Sequence, residues 1–312
     1  MAAQQLVILG GTGFVGSHLA PRLAADGHRL LLLSRNREQH RALAVLPQVT
    51  IRSADVYDDE VLRKAFAGAD AVINLIGILN SHGRHTFQRA HVELTRRVIA
   101  ACHASGVGRL HQMSSLKAGQ GLSQYLKTRG EAETLVKASS LVWTTYQPSV
   151  IFGEGDGLVS RFAALLRWMP ILPLARAQSR MAPTYVGDVA EAIARCVDSN
   201  KLGLRSSLEL YGPEVLTLGE IVRHIRDAAG LRTPVLSLPD SLGRLQAQVA
   251  GLLPGKPFSP DNFRSLRTDS VGKTDGYAAL GIVPQPFTPW LAPLLQGSAL
   301  QRRLDQARTL HR

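Results

Sequence analysis

Gly10-Gly11-Thr12-Gly13-Phe14-Val15-Gly16 follows directly on the short apolar run Gln5–Leu9. Gly10, Gly13 and Gly16 fit the spacing G-x-x-G-x-x-G. In that pattern the first glycine permits a tight turn, the second lets the backbone approach a pyrophosphate, and the third lets helix and strand pack closely. A helix opening there adds unpaired N–H groups and a partial positive charge. The chemistry is the holding of a dinucleotide, and Gly10, Thr12, Gly13, Phe14, Val15 and Gly16 are its candidate contacts. The next apolar run ends in Ser34-Arg35-Asn36-Arg37, with no acid at the strand end. An acid there would bind the ribose 2′-hydroxyl of NAD, whereas an Arg accommodates the 2′-phosphate of NADP. Ser34 and Arg35 therefore predict NADP(H) in preference to NAD(H), which stays open as the alternative. Asp55, with Val56, stands where a partner for the adenine amino group is expected; a turn aspartate before a helix is the other reading. Leu75, Ile76 and Gly77, at the exit of the fourth strand, complete the candidate cofactor contacts.

Positioning those residues requires strands alternating with helices. Gln5–Leu9, Arg29–Ser34, Val49–Arg52, Ala71–Ile76, Arg109–Ser114 and Leu141–Tyr146 read as buried strands. Helices are predicted from the glycine loop to about Ala25, and over Glu38–Leu46, Asp59–Ala67, Phe87–Ala104 and Ser123–Ala138. Apolar strands alternating with helices signify a parallel sheet covered on both faces. The fold class is α/β, a Rossmann doubly wound parallel sheet of six or seven strands, with a smaller, mostly helical C-terminal domain. Residues 1–157 form the first domain and 158–312 the second, with 182–199 left open to either. Phe162, Leu165, Leu166 and Met169 recur at helical spacing before Pro170 and Pro173 end the pattern. Thr217-Leu218-Gly219-Glu220 is a capping box opening a further helix.

Composition bounds the rest. Hydrophobic residues are 45% and charged residues 19% of the 312-residue chain, the balance of a soluble protein with a sizeable core. No apolar run approaches the ~20 residues that span a bilayer, and the apolar start is too short for a signal peptide. Cys102 and Cys196 read as buried thiols in a reducing compartment. The net charge is +12, and Leu158–Gly187 holds Arg161, Arg167, Arg176 and Arg180 with no acid. The last twelve residues hold Arg302, Arg303, Arg308 and Arg312 against Asp305. Such a field attracts anionic lipid or phosphorylated ligands. Without a nucleic-acid module or a basic stripe interleaved with aromatics, no nucleic-acid partner is expected. Phe162, Leu165, Leu166, Trp168 and Met169 beside Arg161 and Arg167 offer a surface for lipid headgroups or a partner; a core helix with flanking arginines is the alternative. His82, His85 and His91 read as loop and helix-surface residues, and no metal site is expected. The expected location is cytoplasmic, with peripheral contact at the inner face of the cytoplasmic membrane as an open addition.

Several blocks resemble the extended and atypical short-chain dehydrogenase/reductases, and more narrowly the NAD(P)H-binding accessory subunit of respiratory complex I and its bacterial relatives. They are Gly10 to Gly16, Tyr125 to Glu133, Gln147 to Gly153 with Asp156, Pro183 to Ala190, Gly212-Pro213-Glu214, Leu238-Pro239-Asp240 and Asp261 to Leu266. The resemblance implies a catalytic Tyr-x-x-x-Lys pair, which falls on Tyr125 and Arg129, so the cation is changed. Residues four apart share a helix face, and a guanidinium donates in a planar fork that alters ribose geometry. Lys127 lies roughly 200° around the helix and cannot substitute. A catalytic serine is implied near Ser114 or Ser115, in a register that can instead place Leu116 there. Pro148, Ser149 and Val150 resemble the segment that meets the nicotinamide. The function implied is an accessory or assembly factor of complex I or of quinone metabolism at the membrane surface. An NADPH-dependent reductase or sugar-nucleotide-type epimerase/dehydratase using Tyr125, and a redox-sensing regulator, are the alternatives.

Overall fold

The computed structural model describes residues 3–35, 41–252 and 258–296; Asn36, Arg37 and the basic C-terminal cluster lie outside them. The first half runs β1 (Gln5–Leu9), α1 (Phe14–Ala25), β2 (Arg29–Ser34), α2 (Arg41–Ala44), β3 (Val49–Ser53), α3 (Asp59–Phe66) and β4 (Ala71–Asn74). A π-helical turn, Gln88–Glu93, then leads into α4 (Leu94–Ser105), followed by β5 (Arg109–Met113), α5 (Gln124–Ala138) and β6 (Val142–Pro148). The second half runs β7 (Ile151–Phe152), α6 (Leu158–Trp168), β8 (Leu172–Ala175), β9 (Arg180–Met181), β10 (Thr184–Tyr185), α7 (Val186–Asp198) and β11 (Ser206–Leu210). It ends with β12 (Leu216–Thr217), α8 (Leu218–Ala228), β13 (Val235–Leu238), α9 (Asp240–Leu252), α10 (Pro260–Ser265) and α11 (Leu291–Gln296).

Seven strands form one sheet in the order β3-β2-β1-β4-β5-β6-β11, every pair parallel. The alternation of side chains along a strand sorts the apolar runs between two cores. Leu6, Ile8, Leu30, Leu32 and Ile73 pack with α1 and α7 on one face. Val7, Leu9, Leu33, Val72 and Leu110 pack with α3 and α4 on the other. This is why Leu30–Leu33 reads as an unbroken apolar run: both faces are covered.

The chain returns to this layer after its first excursion. Val189 and Ile193 of α7 share a core with Leu19 and Leu23 of α1, and β11 extends the sheet along β6. Arg109 holds the end of α7, donating to the carbonyls of Cys196, Val197 (3.2 Å) and Ser199 (2.8 Å), a cation where the helix dipole is negative.

The remaining elements form a second lobe around α6, β8 and α8, with Phe152, Ile221, Val222, Ile225, Phe287 and Leu291 at its centre. Thr217 and Glu220 make the capping box that opens α8. On α6 the structure selects the core helix of the two readings: Leu166 is buried, and Phe162, Leu165 and Met169 pack against the lobe's core. Only Trp168 of that set stands clear, 88% exposed. The helix spends its apolar side inward, so its flanking arginines frame a core helix. Cys102 and Cys196 are buried and unbridged, and burial pushes the Cys102 thiol up to about 12.

Candidate functional site

The candidate contacts gather at the carboxyl ends of the strands, around the point between β1 and β4 where the strand order reverses. Ligands of open α/β sheets bind at such a reversal. The glycine loop fills it. Gly10 turns with φ +75°, its carbonyl accepting from the Gly13 N–H at 2.9 Å, and Ser17 N–H to Gly13 O (2.8 Å) begins α1. A Cβ on Gly16 would lie 2.5 Å from the Cα, C and O of Gly11, so only glycine lets helix and loop approach so closely. Gly13, the N-cap of α1, offers no side-chain hydrogen bond, which leaves the first-turn N–H groups to a ligand or water. Phe14 meets His18 edge-on at 5.8 Å, and His18 Nε2 bonds the Glu154 carbonyl at 2.9 Å.

Toward the predicted adenosine end, Thr12 Oγ1 donates to Ser34 Oγ at 3.1 Å. Arg35 follows β2 directly and is exposed. Asp55 is exposed, and its carboxylate accepts from the Tyr57 N–H at 3.0 Å, the geometry of a turn aspartate. Val56 is buried with Leu33 and Leu62. The Arg89 guanidinium lies 4.2 Å from the centre of the Tyr57 ring.

At the opposite end, Ile76 borders the loop: a Cβ on Gly10 would lie 3.1 Å from its Cγ1. The Leu75 N–H donates to Leu9 O at 2.9 Å. Gly77 is covered by Arg129, whose Nη2 would be 2.0 Å from a Cβ at that position. Arg129 is buried and donates through Nη1 to Met113 O at 2.8 Å, so it ties the exits of β4 and β5 together. Its Nε and the hydroxyls of Ser114 and Ser115 are buried without a partner among the described residues. The Ser114 N–H donates to Tyr146 O (2.7 Å) and the Leu116 N–H to Pro148 O (2.8 Å), and the Leu116 side chain is buried. Tyr125, half-buried, has the Arg129 guanidinium 5.6 Å from its ring centre and stands edge-on to Phe87 and His91, at 6.0 and 5.5 Å. Lys127 points to solvent. Pro148 is buried, and Val150 O accepts from Thr184 N–H at 2.9 Å. Ser149 Oγ donates to Ser270 O at 2.8 Å, fastening the second lobe to this edge.

A dinucleotide fits this arrangement. A buried hydroxyl without a partner costs about 1–3 kcal/mol, and two of them, with one guanidinium N–H, gather where a nicotinamide riboside would supply acceptors. The loop opposite is cleared of side chains where a pyrophosphate must come closest.

Two contributors were not anticipated. Asp261, at the start of α10, accepts from the Gln124 and Tyr125 N–H groups at 2.8 and 3.0 Å, placing an acid at the N-terminus of the helix that carries Tyr125. It lies 136 residues from Tyr125, with no local signal to join them. His91, read from sequence as a surface residue, is buried in the π-helical turn. Its Nδ1 bonds Thr128 Oγ1 at 2.9 Å, while Nε2 faces the Ile78 N–H at 3.5 Å. The spacing Phe87, His91, Leu94, Val98 is that of one buried helix face and could have found it. Of the other two histidines, His82 and His85 are exposed and pair through their backbones. Elsewhere, Asp26, His28 and Asp198 cluster as a cation site would. There Nδ1 of His28 accepts from the Gln4 N–H and Nε2 bonds Asp198, leaving no ring lone pair for an ion.

Burial, and then the neighbouring Arg129, push His91 down to about 2. Burial, and then Arg109, push His111 of β5 to about 3. Both are neutral when folded and bind a proton near 6.5 when unfolded, so the unfolded state takes up protons first. Their stabilising contribution is complete above about pH 6.5 and is lost as pH falls from there toward the folded values, at up to about 1.4 kcal/mol per pH unit for each histidine. Urea melts at stepped pH should show this slope, and His111→Gln should reduce it; a stability flat from pH 6.5 to 5 would contradict the assignment.

Comparison with known proteins agrees with this geometry. A family model described as NAD(P)H-binding matches residues 10–165. Subunit 9 of the NADH dehydrogenase [ubiquinone] 1 alpha subcomplex from Arabidopsis thaliana is 26% identical over 280 residues, 85% of this chain and 70% of the relative. A ceramide reductase from Caulobacter vibrioides is 29% identical over 75% of this chain and 74% of its own. Among solved structures, an NADPH-dependent quinone oxidoreductase from Escherichia coli complexed with NADPH superposes with a TM-score of 0.75. It is 21% identical, over 93% of this chain and 99% of that one. An epimerase from Methanothermobacter thermautotrophicus superposes with a TM-score of 0.74 at 16% identity, over 94% and 91%. Both share the fold. The chain belongs to the NAD(P)H-binding family, as a short-chain dehydrogenase/reductase-like Rossmann protein related to the complex I subunit and to reductases.

Proposed function

We propose that this chain binds NADP(H), with Arg35 on the 2′-phosphate, and holds it as an accessory or assembly factor of complex I or of quinone metabolism at the membrane surface. The observation that carries the reading is Arg129. Where turnover calls for a lysine free to hold the ribose hydroxyls beside the tyrosine, this guanidinium is buried, covers Gly77 and is committed to Met113 O. Leu116, buried, stands where a catalytic serine can fall. Such a site is built to grip a nucleotide more than to cycle it. In this reading residues 1–157, with 182–199 returning to them, hold the nucleotide, and 158–312 supply the partner face, in a cytoplasmic protein peripheral to the inner face of the membrane. Gentle affinity purification from mildly solubilised membranes should enrich complex I subunits or quinone-synthesis enzymes; elution alone would contradict it.

The second reading is an NADPH-dependent reductase or epimerase, favoured by the Ser114 and Ser115 hydroxyls, buried without a partner among the described residues. It requires steady NADPH oxidation that Tyr125→Phe lowers about 100-fold or more, the usual contribution of a general acid. The accessory reading expects near-background oxidation, equal in wild type and Tyr125→Phe.

A further inference from the structure

Helix α9 has its apolar residues on the wrong side for a core. Gly243 and Ala247 are the buried positions, and Gly243 sits so close that a Cβ would lie 2.9 Å from the Phe263 ring and 3.0 Å from Ala175. Facing away from that contact, Leu242, Leu245, Val249 and Leu252 are 50%, 54%, 56% and 87% exposed. Steps of three, four and three residues put them on one helix face. Leu236 of β13 is a further exposed apolar side chain, 52% open. It pairs with Pro173 across β8 and β13, on the side of that pair opposite the buried Leu172 and Leu174. That is the side on which α9 lies, with Gln246 Nε2 donating to Pro173 O at 2.8 Å. Soluble monomers rarely leave so continuous an apolar surface open without a use for it.

The charge left free on this helix is cationic. Arg244 is exposed on α9 itself. The one acid on α9, Asp240, is bound by Arg176 at 2.8 Å. The whole chain carries +12. Among the described residues no helix is long and apolar enough to cross a membrane. An apolar strip flanked by an arginine, on a chain of high positive charge, suits a helix lying in the plane of a lipid surface, where apolar burial and attraction to anionic headgroups add.

We infer that α9 is the docking element of this protein on an anionic bilayer: Leu242, Leu245, Val249 and Leu252 enter the headgroup boundary, and Arg244 meets the phosphates. The inference rests on the membrane-surface part of the proposed function and moves the contact from α6 to α9. It is independent of which nucleotide is bound and of any protein partner. Through α10 the buried side of α9 connects to the candidate site: Phe263 packs on Gly243, Asn262 donates to Leu79 O at 3.2 Å, and Asp261 caps the helix of Tyr125.

The test is flotation of the full chain with vesicles of phosphatidylcholine alone, and of phosphatidylcholine with one third phosphatidylglycerol. Wild type should float with the anionic vesicles, less so in high salt, and poorly with the neutral ones. Leu245→Glu combined with Val249→Glu should weaken partitioning about tenfold or more, because two apolar contacts are lost and two anions are added. Arg244→Glu should weaken it on anionic vesicles only. All three side chains are exposed, so melting temperature and NADPH affinity should be unchanged, and co-purification with partners reports separately on the accessory role. Wild type that fails to float with anionic vesicles would overturn the inference, as would a double variant that floats equally well. A shift from dimer to monomer in the double variant, by light scattering, would assign the strip to a second copy of the chain and overturn it too.

Discussion

Gly16→Ala is expected to cost this protein its nucleotide, with an affinity for NADPH at least a hundredfold weaker and a lowered melting temperature. The added Cβ would lie 2.5 Å from three backbone atoms of Gly11. No side chain can rotate to make room, so α1 must withdraw from the loop or the loop must shift. Overpacking of this kind costs typically about 1–3 kcal/mol and sometimes more, and here the displaced atoms belong to the loop proposed to present N–H groups to a pyrophosphate. Gly108→Ala is the control. A Cβ there meets nothing within 4 Å, and both stability and affinity should stay near wild type. Thermal melts with and without NADPH separate the two effects. If Gly16→Ala bound NADPH as wild type does, the glycine loop would not be the phosphate cradle.

Arg35→Ala should weaken NADPH binding about ten- to a hundredfold while changing NADH binding little. A charge-assisted hydrogen bond contributes about 1.5–3 kcal/mol, and each 1.4 kcal/mol is tenfold in affinity. Arg35 is exposed at the exit of β2, next to Ser34, which is tied to the glycine loop through Thr12. NADH has no 2′-phosphate for it to meet. Parallel titrations of both nucleotides into both proteins decide the matter, and equal losses for the two would remove the basis for preferring NADP(H).

The parallel sheet was legible because its evidence is local and repeated. Leu30–Leu33 can only be a strand covered on both faces, and the glycine loop stands between a strand and a helix as its chemistry requires. Tyr125 and Arg129 were legible as a pair through the family resemblance, and a spacing of four puts them on one helix face. What Arg129 does with its guanidinium was not, since Gly77 and Met113 come to it from other strands. His91 was hidden in a different way: its type suggests a surface, and only its spacing with Phe87 and Leu94 assigns it to the buried face. For α6 and α9 amphipathic patterning identifies an apolar face but carries no sign for which side is inward. On α6 that face is core. On α9 it is the small residues Gly243 and Ala247 that pack, and the leucines that stand out.

Whether this chain holds NADP(H) is read most simply from the nucleotide that travels with it. The full chain would be purified gently, denatured, and the released dinucleotide identified and counted against protein. NADP(H) is the expected nucleotide, retained through purification or restored on adding NADPH to the emptied protein. NAD(H) in its place, or a protein that neither carries nor rebinds NADPH, would contradict it.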